Sequence, residues 1–163
     1  MAYPSILSRK LNIETFNLGF SGSGKMEIAI ADVLAKIPAD IYVLDCVPNA
    51  LPQEIKERAF PLIEKLRKLK PHVPLLMVES VDRETGNWNA YIKNRVSQQN
   101  SEFKKAYINL VLKGYKNIYY ISADQLMGDD HEATVDGTHL TDLGFMRISE
   151  TISKKLSEIF ENK

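Results

Sequence analysis

Apolar positions along the chain recur with two different periods, and their alternation predicts the architecture. At residues 4–11, Ile6, Leu7 and Leu11 share one face of a helix whose first turn carries Pro4. Residues 15–20 run into glycine and serine and read as a strand. Ile28, Ile30, Ala31, Leu34 and Ile37 repeat at helical spacing over residues 27–37. The stretch 41–47 is apolar except for a late Asp45, the pattern of a strand covered on both faces. A long helix is predicted over 52–69, with Pro61 as a site for a kink, and a third strand over 74–78. Residues 80–95 mix charges with Gly86 and Trp88 without a period, so they read as an active loop or partly ordered excursion. Helical spacing returns over 97–113 and ends at Gly114. A fourth strand at 118–121 leads into an acidic loop over 122–138, and Thr141 is placed to cap a last helix running to about Phe160.

Strands alternating with helices predict an α/β fold built on a parallel sheet with helices on both faces. Ligands in such folds bind in the loops beyond the carboxyl ends of the strands. Here those loops are 19–25, 47–51, 79–95 and 122–140.

The most informative loop reads DGTHLTDLGF, residues 136–145. Asp-Gly favours a tight turn, because Gly137 tolerates positive φ and the Asp136 side chain can bond nearby backbone. Such a turn presents Asp136 and His139 on one side. A carboxylate on one ring nitrogen sets the tautomer and leaves the other nitrogen as a general base. The alternative for these two residues is a turn that merely caps the last helix.

A second loop, GFSGSGKM at residues 19–26, satisfies the Gly-x-x-x-x-Gly-Lys core of a phosphate-binding loop, from Gly19 to Lys25. Met26 stands where that motif needs a hydroxyl for Mg²⁺, and the motif leaves Asp136 and His139 without a task. A metal site built from Asp129, Asp130, His131, Asp136 and His139 is chemically conceivable, but consecutive acids in a loop are more often solvated. Trp88 either lines a pocket or folds back on its loop.

Composition narrows the classes. At 163 residues, with 44% hydrophobic and 26% charged, the chain is read as one domain over residues 1–163. Basic and acidic residues balance at 21 each, so charge offers no argument for nucleic acid or an anionic membrane. Cys46 is the only cysteine, which excludes an internal disulfide and a cysteine metal cage. The first residues lack a basic start followed by an apolar run, and no apolar stretch is long enough to span a bilayer. The default compartment from these residues is the cytoplasm.

Several separated pieces together resemble one family. NLGFSG at 17–22, VLDCVPN at 43–49 and DGTHLTDLGF are similar, in order and placement, to the second, third and last blocks of the SGNH (GDSL-type) hydrolases. AYPSILSRKL, at residues 2–11, resembles the helix that follows that family's first block. The resemblance implies a three-layer flavodoxin-like sheet and hydrolysis of an acyl or acetyl ester on a carbohydrate or lipid, without cofactor or metal. It implies His139 as general base, Asp136 as its orienting acid, and the Gly22 N–H and Asn49 amide as oxyanion donors.

Two departures stand out. Val47-Pro48-Asn49 keeps the asparagine of the usual Gly-x-Asn-Asp block but neither its glycine nor its aspartate. The block with the nucleophilic serine would precede the helix at Pro4, and Ser5, Ser8, Ser21, Ser23 and Cys46 do not match its position. The expectation is therefore a hydrolase without its first strand and serine, N-terminally truncated and weakly active or inactive by itself. A lost leading segment would also leave a secreted or periplasmic location open, and unpaired sheet edges would open a route to a homo-oligomer. The alternatives are a nucleotide-binding protein using Gly19 to Lys25, or an esterase relic that serves as a non-catalytic binding module.

Overall fold

The computed structural model describes residues 2–161, which form two compact units. One comprises Phe20–Ser80 and Asn94–Ile121 and holds the sheet; the other comprises the residues up to Gly19, Val81–Lys93, and those from Ser122 on.

In the sheet unit, β1 (Tyr42–Leu44), β2 (Leu75–Val78) and β3 (Ile118–Ile121) lie parallel in that order. Tyr42 pairs with Leu75, and Leu75 with Ile118. The central strand β2 is buried at all four residues, as its unbroken apolar run requires. Two helices supply much of the core: α3 (Pro52–Leu69) through Ile55, Ile63 and Leu66, and α4 (Ala90–Leu112) through Phe103 and Leu110. The Glu54 carboxylate accepts the Leu51 N–H at 2.8 Å at the start of α3, and the helix continues through Pro61. At its other end the buried Arg67 guanidinium donates to the carbonyls of Lys70, Pro71 and Asn117, each at 2.9 Å. One side chain thus ties the exit of α3 to the residue preceding β3. Gly114, at φ +83°, closes α4, with its N–H bonded to Val111 O and that of Tyr115 to Leu110 O. Both bonds of a Schellman motif are present.

The predicted order of helices and strands holds, with three corrections. Residues 15–20 form no strand, and Phe16, Leu18 and Phe20 are exposed. A strand needs a neighbour to take its backbone bonds, and among the described residues none lies beside this segment. Helix α2 is only Ile30–Leu34, flanked by turns, rather than 27–37. Helix α4 starts at Ala90, seven residues before the expected 97, because the Asn89 carboxamide accepts the N–H groups of Tyr91 (3.1 Å) and Ile92 (3.3 Å). An N-cap can start a helix inside a stretch that lacks apolar periodicity.

In the second unit, α1 (Tyr3–Leu11) packs on α5 (Asp142–Glu161). Ile6 and Leu7 of α1 are buried, as are Ile148, Ile152, Leu156 and Ile159 of α5. Thr141 caps α5 as predicted: its hydroxyl accepts the Gly144 N–H and donates to Glu132 O, both at 3.1 Å. Gly144 has no room for a side chain, since a Cβ there would stand 2.3 Å from the Ala133 carbonyl oxygen. Gly144→Ala is expected to destabilise the chain by about 1–3 kcal/mol, the usual cost of forced overpacking. Urea unfolding checks this, and an unchanged midpoint would show that the α5 entry relaxes freely.

Candidate active site

The Asp136–His139 loop is a narrow excursion closed at its base. Thr134 and Leu140 form an antiparallel bridge, the Val135 N–H donates to His139 O at 2.8 Å, and the Thr141 N–H to Ala133 O at 2.9 Å. Gly137, at φ +79°, turns the tip. One oxygen of Asp136, Oδ1, accepts the backbone N–H groups of Thr138 (2.9 Å) and His139 (2.8 Å). The other, Oδ2, lies 2.7 Å from His139 Nδ1.

Those bonds hold the Asp136 carboxyl down at about 2, with the His139 backbone N–H the largest cause, then its imidazole, then the Thr138 N–H. An ionised carboxylate can only accept, so the proton of the shared bond belongs to Nδ1. Nε2 then carries the lone pair. It has no hydrogen-bond partner among the described residues, and the imidazole is 78% exposed. This is the arrangement that a general base requires.

Gly22 and Asn49 lie in the sheet unit, in separate turns. Ser21 (φ +46°) and Gly22 (φ +88°) form the centre of a tight turn closed by the Ser23 N–H on Phe20 O at 3.0 Å. Positive φ at both central residues marks a type I′ turn. Asn49 ends the 3-10 turn Val47–Asn49 that follows β1; it is half-buried, and its carboxamide makes no hydrogen bond among the described residues. Buried Gln99 of α4 encloses this turn, its Nε2 donating to Ala50 O at 2.6 Å and Val47 O at 3.2 Å. The next residue, Asn100, bonds both backbone groups of Ser80 beyond β2, at 2.8 and 2.9 Å. Sequence reasoning missed both; the only signal was two adjacent amides inside a helix.

Other candidates fall away on geometry. Met26 is buried in the core with φ +61°, and the nearest helix start is Ile30, so the glycine loop does not open directly onto a helix N-terminus. A phosphate loop depends on that junction. Cys46 is no substitute nucleophile, because desolvation, and then the Asp45 carboxylate, push its thiol up to about 12. Asp130 pairs with Arg147, His131 with Glu84, and Asp136 with His139, so the acids and imidazoles form separate pairs. No group of three or more metal-ligating side chains occurs among the described residues. No helix there is long and apolar enough to cross a membrane.

The model of the GDSL-like lipase/acylhydrolase family matches residues 1–157. This chain belongs to that family. A candidate GDSL-like lipase from Bacteroides ovatus ATCC 8483 is 42% identical, with a TM-score of 0.93 over 98% of this chain and 47% of its own. The salicylyl-acyltransferase SsfX3 of a tetracycline biosynthetic pathway superposes at TM-score 0.77 with 17% identity, over 96% of this chain and 48% of its own. A family 3 carbohydrate esterase from Talaromyces cellulolyticus gives 0.67 with 12% identity, over 100% and 93%. The last two likenesses are of fold alone, and that fold is the α/β, flavodoxin-like one of SGNH hydrolases. The chain spans about half the length of the first two proteins. No curated protein sequence matches it.

Two outcomes are expected in this GDSL-family chain. Asp136 contributes stability that is complete above the ordinary carboxyl value of 3.8 and is lost as the pH falls through about 2. A ¹³C-carboxyl titration should find its midpoint near 2, and a midpoint at 3.8 would mean that the three bonds do not persist in solution. Gln99→Ala leaves the buried Ala50 carbonyl without its 2.6 Å donor and should cost about 1–3 kcal/mol in denaturant unfolding; an unchanged stability would show that water replaces the amide.

Proposed function

We propose that this chain carries the acid–base half of an ester-hydrolysing site. His139 Nε2 is the general base that would take a proton from an attacking hydroxyl and return it to the leaving group. Asp136 holds the Nδ1–H tautomer and stabilises the imidazolium that forms. The Gly22 N–H and the Asn49 amide are the donors for the oxyanion, each such donor being worth ~10²–10³ in rate. The substrate class is an acyl or acetyl ester of a carbohydrate or lipid, and the step needs no metal or organic cofactor. The observation that carries this reading is the 2.7 Å Asp136–His139 bond with the opposite ring nitrogen open to solvent. Membership of the GDSL-like lipase/acylhydrolase family supports it.

No serine of these residues is assigned as nucleophile. Ser80, Ser149 and Ser153 are buried, while the Ser8 and Ser122 hydroxyls donate to Ile13 O and Asp124. On this reading the nucleophile is not among these serines, and since losing one costs ~10⁶ in kcat, the expected turnover is weak or absent.

The test pairs intact mass after a fluorophosphonate probe with 4-nitrophenyl acetate hydrolysis, wild type beside His139→Ala. The expected result is no adduct, no burst, and a slow residual hydrolysis that falls to the buffer rate in the variant. An adduct lost in His139→Ala would put the nucleophile on a serine of this chain, which peptide mapping would name. Residual hydrolysis indifferent to His139→Ala would remove that residue from the site.

A further inference from the structure

The stretch 80–95 shows no periodicity, yet it bonds directly to the Asp136–His139 loop. Thr85 lies in a 3-10 turn at Glu84–Asn87. Its backbone N–H, at 3.0 Å, and its hydroxyl, at 3.3 Å, both donate to the Gly137 carbonyl. Its methyl faces the Gly137 α-carbon so closely that a Cβ there would fall 2.6 Å from Thr85 Cγ2. Gly137 is buried, while Asp136 and His139 around it are exposed. Among the described residues, these are the only hydrogen bonds from residues 136–139 to a distant part of the sequence. The turn is itself braced: the Glu84 carboxylate bonds the Asn87 amide at 2.7 Å and His131 Nδ1 at 2.8 Å. Gly86 packs against Lys93, whose Cα would be 3.3 Å from any added Cβ.

The carbonyl that Thr85 grips belongs to the same peptide group as the Thr138 N–H. That group is planar, so the direction of its C=O sets the direction of its N–H. The Thr138 N–H points at Asp136 Oδ1, and the other oxygen of that carboxylate meets His139 Nδ1. Thr85 therefore acts on the imidazole through one rigid peptide plane and one carboxylate.

We propose that Thr85 is a positioning residue for the Asp136–His139 pair, seating Gly137 so that the 137–138 peptide aims its N–H at the Asp136 carboxylate. The inference rests on the reading of that pair as the acid–base machinery.

The experiment follows Thr85→Ala, Thr85→Val and Thr85→Ser by NMR on the whole chain, with thermal melts as the control for folding. It reads the titration midpoint of the Asp136 carboxyl and the solvent exchange of the His139 Nδ1 proton. In Thr85→Ala the midpoint moves up from about 2 towards 3.8. The Nδ1 proton exchanges about five-fold faster, the factor for one net hydrogen bond. Thr85→Ser, which keeps the hydroxyl, recovers most of both. Both readouts unchanged in a folded Thr85→Ala would overturn the proposal. Should that variant not fold, Thr85→Val against Thr85→Ser decides, since only the valine should shift the midpoint. The two readings fail separately. Silent Thr85 variants beside an inactive His139→Ala would sink this inference alone. Shifted Asp136 with hydrolysis indifferent to His139→Ala would keep the positioning contact and sink the proposed function.

Discussion

A chain that leaves a buried parallel strand must find partners for backbone groups that the ladder no longer satisfies, and the rest of this structure depends on how it does so. Water is excluded from much of this region, and an unpaired buried carbonyl or N–H costs as much as a lost hydrogen bond. A few polar side chains meet the demand. Gln99 takes the carbonyls around Asn49 and Asn100 takes both backbone groups of Ser80, while Arg67 does the same for three carbonyls at the exit of α3 and the entry to β3. Each is buried, so each is held in one rotamer by packing as well as by its bonds. The turns they bind inherit that rigidity.

The same solution appears in the second unit with chemical consequences. Asp136 satisfies two successive N–H groups at the tip of its loop, and the oxygen left over orients an imidazole. What begins as local backbone satisfaction ends as control of a histidine tautomer. The exposed carboxylate stays ionised because its acceptor sites are filled by fixed donors rather than by water alone. Thr141 and Arg147 hold the flanks: Thr141 caps α5, and Arg147 grips Asp130 and the Met127 carbonyl. The loop is exposed at its tip and anchored at its base, which suits the general base proposed for it.

Family membership sets these local facts in context without completing them. A GDSL-family fold accounts for the parallel sheet. The exposed run at 15–20 departs from the strand predicted there, since a local pattern alone supplies no neighbour to bond.

Much was legible in the residues themselves. The apolar run at 75–78 could only be a covered strand, Gly114 could only end a helix without strain, and Asp-Gly-Thr-His encoded its own turn. Those features are local, because the partners lie within a few residues and the sequence contains both sides of each bond. The seat of Gly137 on Thr85, 52 residues away, was not legible, nor was the hold of Gln99 on the Asn49 turn, 49 residues from Ala50. Neither Thr85 nor Gln99 has a pattern that marks it, because each is selected by the shape and backbone orientation of a distant segment. Sequence periodicity determined which elements form and which two residues could make the acid–base pair. Only tertiary packing decided how firmly that pair is aimed, since the rigidity of a loop resides in the bonds it makes to parts of the chain far from itself.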